Sequence, residues 1–393
     1  MNKNVTLKVS ILSIFFLNMA PTLVIPALHR LSAAFPEIPF STIVLAQTLP
    51  CLLMIPVALI SGALAGKKVK FRTMNIIGII LFIIGGITPF FLSNFTSILL
   101  SRVLFGIGIG IISPMGNALV LKFYHGQDRV NLVGIGNVFV MSGGIMMQLA
   151  SGFLCAISWQ YTFLVHLIAI IPLLLVILLL PEPDKEIEND HHKEKLRMPF
   201  AVYGYTLMFG IMVMLNYTMV LNISTIMAER SLGSPALAGL VLSLFTAGGM
   251  LAGLVFGNVY KLTAKYTIAL GLLITAAGLG FADFAGNIII FALGSLVTGI
   301  GFSTVMPAVI VEIGAIAPPA SIGMATGMVI ALMNGGMFFS PYYMALVQNI
   351  SSQNNVWFPV CVSMILLVIG AFLLIFYQYK QTPSPERQNS SIS

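Results

Sequence analysis

The uneven distribution of basic residues constrains the fold of this chain more than any other feature. Twelve long apolar runs take up most of its 393 residues, and short polar connections join them. When the connections are numbered from a cytoplasmic N-terminus, sixteen of the 19 Lys and Arg residues fall on one side, and only Arg30 and Arg230 fall on the other. Lys and Arg are retained on the cytoplasmic side during insertion. The pattern therefore predicts twelve membrane spans with both termini in the cytoplasm.

Composition supports the same interpretation. Hydrophobic residues make up 58% of the chain and charged residues only 8%, and the mean hydropathy is +1.00. A soluble domain carries about 25% charged residues. Twelve helices of about 20 apolar residues, the length that crosses a bilayer, leave no room for a separate soluble domain. The formal charge of +7 is therefore explained by topology and predicts no nucleic-acid partner.

The expected fold is all-α, with two six-helix bundles at 1–180 and 198–378. The polar stretch 181–197 is predicted to be a cytoplasmic linker, and 379–393 a disordered cytoplasmic tail. The chain has only three cysteines, so we predict no disulfide framework. The sequence shows no spacing of ligands typical of a metal or cofactor site, so we predict neither. The predicted spans are 8–28, 40–65, 73–92, 96–122, 130–155, 159–180, 198–226, 236–260, 266–284, 286–313, 320–348 and 355–378.

The two halves of the chain repeat each other at offsets of 192 to 198 residues. A parallel repeat of six spans predicts a pseudo-two-fold axis along the membrane normal, with a site between the halves. The matching segments are 62–72 with 257–267, 106–114 with 299–307, 142–144 with 334–336, and 17–18 with 215–216.

On these features the whole chain resembles the major facilitator superfamily of secondary transporters. The family loop G-x-L-A-D-R-x-G-R-[RK] is similar to Gly62–Arg72, which reads GALAGKKVKFR. The resemblance assigns a conformational role to Gly62, Lys67, Lys70 and Arg72. The family aspartate is replaced by Gly66 here, so the latch that this aspartate forms across the halves is not expected.

Two further motifs concern spans four and five. The stretch from Arg102 to Gly108, RVLFGIG, resembles the family motif R-x-x-x-G-x-G, whose arginine is linked to proton transfer in proton-coupled members. The motif G-P-x-x-G-G of drug-proton antiporters corresponds to MQLASG, residues 147–152. Gln148 replaces the proline and only Gly152 is kept, a departure that weakens the specific antiporter assignment.

Arg102 is the first candidate for a functional residue. An arginine inside a span costs at least ~2.5–3.5 kcal/mol on insertion scales, so it should face a cavity or a partner. Helical spacing places Arg102 on one stripe with Gly106, Ile109, Ser113 and Asn117, which predicts a water-lined wall. The alternative is that its side chain extends to the outer membrane interface.

Acidic residues and histidine supply the next candidates. No Asp or Glu falls within a predicted span of the first half. Glu312 could carry a proton, or it could form an ion pair with Lys261 or Lys265. His166 could handle protons, or it could be a satisfied structural histidine. Asp283 is predicted to be interfacial.

Neutral polar residues deep in the spans form the last set. They must find partners in neighbouring helices or line the cavity, and the sequence leaves both roles open for Asn18 and its mate Asn216. The 22 methionines could form an adaptable drug-binding lining or be ordinary packing residues. The set comprises Asn18, Gln47, Asn137, Gln148, Asn216, Tyr217, Asn222 and Asn334.

These features predict a monomeric secondary transporter of the plasma membrane that works by alternating access and is not an enzyme. The leading hypothesis is proton-coupled export of a small, fairly apolar organic molecule. The alternative is uptake or exchange of a small metabolite, including a monoanion held by Arg102. A membrane sensor is a third possibility, but no appended signalling domain accompanies the spans.

Overall fold

The structure is a computed structural model that describes residues 3–183, 198–318, 321–351 and 355–380. Most of the predicted linker and tail, 184–197 and 381–393, lies outside the described residues. Within the described part every regular element is a helix, which confirms the predicted all-α class. We number the membrane-crossing segments as spans 1 to 12 in chain order.

The first six spans include several helix breaks. Span 1 contains helices Lys3–Phe16 and Leu28–Ala34 with the 3-10 helix Ala20–Ala27 between them. The others are Phe40–Ile43 with Leu45–Leu64 (span 2), Phe71–Ile87 with Thr88–Phe91 (span 3), Phe95–Phe123 (span 4), Gly126–Ile157 (span 5), and Trp159–Ala169 with Ile170–Leu179 (span 6).

The last six spans are mostly single helices. Their bounds are Phe200–Glu229 (span 7), Pro235–Thr263 (span 8), Thr267–Asp283 (span 9), Ile288–Ile316 (span 10), Ile322–Ser351 (span 11) and Trp357–Lys380 (span 12).

Spans 8 and 9 form one almost unbroken helical stretch of 49 residues, Pro235–Asp283, so it has to be shown that they are two spans. At 1.5 Å per residue a straight helix of that length would measure about 70 Å, more than twice the hydrocarbon core. Ala264 has φ +44° and the short 3-10 helix Ala264–Tyr266 follows it, so the chain turns back here. The described residues therefore contain twelve passes, as predicted.

Glycines bring spans 3 and 4 into close contact. A Cβ added to Gly108 would lie 2.4 Å from the backbone nitrogen of Phe82, and one added to Gly85 would lie 2.3 Å from the nitrogen of Phe105. The equivalent spans 9 and 10 repeat the arrangement: a Cβ on Gly301 would lie 2.3 Å from the nitrogen of Thr275. Small residues at these crossings allow the backbones to approach.

We expect Gly108→Leu to destabilise the protein, since backbone atoms cannot move aside as a flexible side chain can. Overpacking of this kind costs about 1–3 kcal/mol or more, so the thermal unfolding midpoint in detergent should fall clearly below that of the wild type. Gly134→Leu is the control, because no atom lies within 4 Å of a Cβ added there. Equal midpoints for the two variants would contradict this account of the crossing.

Candidate functional site

The two halves of the molecule touch near one face of the bundle. We call the face that carries Lys67, Lys70 and Lys261 the basic face, and the face that carries Arg30 and Arg230 the opposite face. Contacts between the halves join span 5 to span 8, span 2 to span 11, and span 1 to spans 7 and 8. The closest of them are on the opposite-face side of the molecule.

Spans 5 and 8 cross at two glycines. A Cβ added to Gly152 would lie 2.8 Å from the carbonyl oxygen of Pro235 and 3.0 Å from the Cα of Gly239. A Cβ added to Gly239 would lie 2.6 Å from the carbonyl oxygen of Gln148. Any larger residue would separate the two helices. Gly152, the glycine kept from the antiporter motif, is therefore a point of contact between the halves.

Gln148 joins three spans through its amide. Its Nε2 donates to Thr22 Oγ1 of span 1 at 2.9 Å, and its Oε1 accepts from Thr246 Oγ1 of span 8 at 3.0 Å. The side chain is 1% exposed, so these bonds are shielded from water. The residue that departs from the antiporter motif thus makes a buried polar connection across the halves.

Ser224 forms a second polar connection between the halves. Its hydroxyl donates to the carbonyl oxygen of Ile25 at 3.0 Å and accepts from the backbone N–H of His29 at 3.2 Å. Both partners belong to span 1, and Ser224 belongs to span 7. We refer to the crossing at Gly152 and Gly239, together with the bonds of Gln148 and Ser224, as the opposite-face gate.

Spans 5 and 8 separate towards the basic face. Gly134, Gly253 and Gly257 would have no atom within 4 Å of an added Cβ. Asn137 and Asn258 are exposed, as are most residues around them. A helix at the edge of a closed bundle exposes one face to lipid, whereas these segments are exposed on several sides. A gap between the halves is therefore open on the basic face.

Asn18 and Asn216 lie near the middle of spans 1 and 7. Asn18 is partly exposed, and its Oδ1 has no hydrogen-bond partner among the described residues. Asn216 is fully buried, and neither Oδ1 nor Nδ2 has a described partner. Leaving a buried amide unpaired costs about 1–3 kcal/mol. Tyr217 is 3% exposed, so neither it nor Asn216 is open to the gap in this conformation.

Other members of the neutral polar set have structural partners. Asn222 Nδ2 donates to the carbonyl oxygen of Thr218 at 2.7 Å and lies 3.4 Å from Met344 Sδ. Asn334 Nδ2 donates to the carbonyl oxygen of Ile330 at 3.0 Å.

Arg102 is sealed within the first half. It is fully buried, its Nε donates to the carbonyl oxygen of Ala46 at 2.9 Å, and its guanidinium carbon lies 4.0 Å from the ring centroid of Phe105. The alternative, in which the side chain extends to the membrane interface, therefore does not hold, and Arg102 faces partners inside the bundle. The expected water-lined stripe is interrupted too, because Ser113 is partly exposed and Asn117 exposed while Arg102 is inaccessible.

His166 is the side-chain partner of Arg102. Its Nε2 lies 3.5 Å from Arg102 Nη1, and its Nδ1 lies 2.9 Å from the carbonyl oxygen of Phe163. A carbonyl can only accept, so Nδ1 carries the proton and Nε2 is left to accept from the arginine. His166 is fully buried, which agrees with the structural alternative for this residue.

The two acidic candidates lie near span ends. Glu312 is partly exposed near the basic-face end of span 10. Among the described residues it forms no ion pair with Lys261 or Lys265, and Lys265 Nζ donates to the carbonyl oxygen of Gln378 at 3.3 Å. Of the two alternatives for Glu312, the ion pair is therefore not seen in the described part of the chain. Asp283 ends span 9 near Arg230, where it is 7% exposed and its Oδ1 has no hydrogen-bond partner among the described residues. Partial burial lowers the pKa of Arg230, while the carboxylates of Asp283 and Glu229 oppose that change.

The loop after span 2 is tied to the end of span 6. Gly66 has φ +75°, a conformation that favours glycine over the family aspartate. The carboxylate of Glu182 accepts from the backbone N–H groups of Phe71 at 2.6 Å and Arg72 at 3.0 Å, which caps span 3. Gly62, Lys67 and Lys70 are exposed. A carboxylate from elsewhere in the chain therefore anchors this loop.

Several of these partners were not identified from the sequence. Thr22, Ser224, Thr246 and Glu182 are single polar residues without a motif, and each has its partner 98 or more residues away. Helical spacing within one span cannot reveal such pairs.

Twelve spans in two repeated halves, separated on one face and joined near the other, define a membrane transporter fold. Residues 9–220 and 206–393 each match the sequence model of the Major Facilitator Superfamily. The chain therefore belongs to the Major Facilitator Superfamily, a family of transporters, and it is not an enzyme.

Solved structures agree on the fold. A bacterial homologue of the human lysosomal transporter Spinster, described as inward-facing and occupied, superposes with a TM-score of 0.74 at 16% identity, covering 98% of this chain and 99% of its own. A D-xylose-proton symporter gives 0.73 at 16% identity, with 95% and 97% covered.

Curated relatives align over shorter regions. The multidrug efflux pump SdrM of Staphylococcus aureus is 27% identical over 183 residues, which cover 44% of this chain and 41% of SdrM. The putative multidrug resistance protein MdtD of Yersinia pseudotuberculosis is 26% identical over 301 residues, which cover 74% and 59%. The chain thus spans less than two thirds of the length of these relatives.

We predict that Gly239→Leu opens the opposite-face gate. The leucine side chain would meet the backbone at Gln148 and Gly152, and overpacking of about 1–3 kcal/mol should raise the reactivity of a single cysteine at the buried neighbour Ala238 roughly tenfold towards a hydrophilic maleimide. Gly253→Leu in the same helix is the control and should change nothing. Equal labelling in the two variants would show that the crossing does not hold the gate.

Proposed function

We propose that this protein exports small, fairly apolar organic molecules across the plasma membrane in exchange for protons. The observation that carries the proposal is the separation of the halves on the basic face and their contact at the opposite-face gate. The positive-inside rule assigns the basic face to the cytoplasm, which puts both termini there. Cargo then enters from the cytoplasm, and the protein works as a monomer.

Transport follows from rocking of the two halves about a site near mid-depth. Closure of the basic face and separation at Gly152 and Gly239 expose the cargo to the outside. Asn18, Asn216 and Tyr217 are the candidate cargo contacts, because they lie near mid-depth on spans that face each other across the repeat. The partly exposed Asn18 can bond a polar group on an otherwise apolar cargo, whereas Asn216 and Tyr217 can do so only after rocking uncovers them. The names of the relatives SdrM and MdtD support drug-like cargo.

Glu312 is the candidate proton carrier. It is a partly exposed acid near the basic-face end of span 10, and among the described residues it has no ion-pair partner. Ser113 and Asn117 in span 4 are accessible from the same side and can contact water or cargo on the way in. His166 and Arg102 are less suited to exchange protons with solvent, because both are fully buried.

Uptake or exchange of a small metabolite is the second candidate function. Gln148 in place of the antiporter proline favours it. The first half also has no carboxylate deep in the membrane to carry a proton: the only carboxylate among the described residues of spans 1 to 6 is that of Asp128, in the first turn of span 5. A monoanion held by Arg102 is the less favoured form, since no path in this conformation leads to the buried guanidinium.

Proton flux in proteoliposomes tests the proposal. The vesicles contain a pH-sensitive dye, and gradients of lipophilic cations, neutral drugs and small monoanions are imposed in turn. We expect one of the first two classes to move against protons. Substrate movement without a pH signal would contradict proton coupling and favour the second candidate.

We further predict that Glu312→Gln abolishes net proton-driven transport while exchange of labelled for unlabelled substrate continues, because a neutral amide cannot carry the proton. Asp283→Asn is the matched control and should retain coupling. If Glu312→Gln couples normally, another group carries the proton.

A further inference from the structure

Span 2 contains two prolines, each of which removes a backbone donor. Pro50 and Pro56 lie inside the helix Leu45–Leu64, and proline has no N–H to give to the carbonyl four residues earlier. The carbonyls concerned are those of Ala46 and Leu52. Bulk water does not reach a carbonyl in the hydrocarbon region, so a side chain of a neighbouring span is one source of the missing donor.

Arg102 of span 4 provides that donor at the first break. Its Nε donates to the carbonyl oxygen of Ala46, the carbonyl that Pro50 leaves without its helical partner, at 2.9 Å. The same guanidinium reaches His166 Nε2 through Nη1. One planar group thus holds spans 2 and 6 against span 4.

A second proline break lies in span 4. Pro114 lies inside span 4 and leaves the carbonyl of Gly110 without its helical donor. The hydroxyls of Ser113 and of Ser61 in span 2 each lie 3.4 Å from that carbonyl oxygen, but the Ser61 hydroxyl lies nearer, at 3.1 Å, to the carbonyl oxygen of Ala58 in its own helix. The bond from Arg102 to Ala46 is therefore the shorter connection between spans 2 and 4 at a proline break.

The second half contains the counterpart of the Arg102 bond. Ser295 Oγ of span 10 donates to the carbonyl oxygen of Val241 in span 8 at 2.9 Å. These residues correspond to Arg102 and Ala46 at the repeat offsets of 193 and 195. Phe245 stands at the position that corresponds to Pro50, so the carbonyl of Val241 keeps its helical donor and the bond from Ser295 is an additional one.

We propose that Arg102 is a positioning residue that completes the broken helix of span 2, and that proton transfer is not its task. Span 2 contacts span 11 of the other half, so the geometry at Pro50 is transmitted to the contact between the halves. The inference rests on the proposed function only for its transport readout, since the stability readout needs no cargo.

A double-mutant cycle between Arg102→Lys and Pro50→Ala tests the inference. Lysine keeps the charge but lacks the planar fork that serves two acceptors at once. Alanine at position 50 restores the N–H that bonds the Ala46 carbonyl. The lysine at position 102 then has to donate to His166 only. Pro56→Ala is the matched control, because it restores a donor for Leu52, which Arg102 does not contact. The readouts are the thermal unfolding midpoint in detergent and the pH profile of efflux of the neutral apolar dye Nile red from proteoliposomes.

We expect Arg102→Lys to lower the midpoint by several degrees and the efflux rate about tenfold, as loss of a buried charge-assisted bond implies. Adding Pro50→Ala should recover most of both losses with an unchanged pH profile, while adding Pro56→Ala should recover neither. A wild-type midpoint for Arg102→Lys, equal recovery by the two alanines, or a shifted pH profile after rescue would overturn the inference. If Nile red is not transported even by the wild type, this dye is not a cargo and the midpoints alone decide on Arg102.

Discussion

The structure depends on satisfying backbone carbonyls that broken helices leave without donors inside the membrane. A carbonyl in lipid has no bulk water to bond, so a side chain from a neighbouring span can replace the donor that a break removes, as Arg102 does for Ala46. Span 1 is the clearest case, because its 3-10 helix Ala20–Ala27 contains Pro21 and Pro26. Ser151 of span 5 donates to the carbonyl of Leu23, whose partner in the 3-10 helix would be Pro26, and Ser224 of span 7 adds a second donor to the carbonyl of Ile25, which also accepts from the N–H of Leu28. One irregular segment is thereby bonded to both halves of the molecule.

The hydrogen bonds between the halves are also weak enough to break and form again during transport. The polar part of the opposite-face gate consists of the bond from Thr246 to Gln148 and the two bonds of Ser224. At about 0.5–1.5 kcal/mol net per bond, they contribute only a few kcal/mol. Conformations of proteins that switch commonly differ by amounts of this size. The glycine crossing adds close packing without interlocked side chains, so the helices can separate.

Much of the fold could be predicted from the sequence, because lipid imposes simple rules on composition and charge. The twelve spans follow from the apolar runs and the placement of Lys and Arg, and the repeat follows from matching segments in the two halves. Span 1 extends beyond its predicted end at residue 28 to Ala34, since a 3-10 segment with prolines still continues through the bilayer. The interactions at the site were harder to predict. Arg102 was identified as important, but its acceptor is a backbone carbonyl in another span, and Gln148 was noted only as a departure from a motif.

Distances between spans 5 and 8, measured at both ends of the two helices, test the central claim. The claim is that the opposite-face gate opens when the gap on the basic face closes. Spin labels at 157 and 234 report the gate, and labels at 127 and 261 report the basic face, in a protein whose three cysteines are replaced. Pulsed electron paramagnetic resonance would measure both distances with and without transported compound at two pH values. Alternating access predicts that the distance at the gate lengthens in the same population in which the distance at the basic face shortens. Two distances that stay fixed, or that lengthen together, would contradict it.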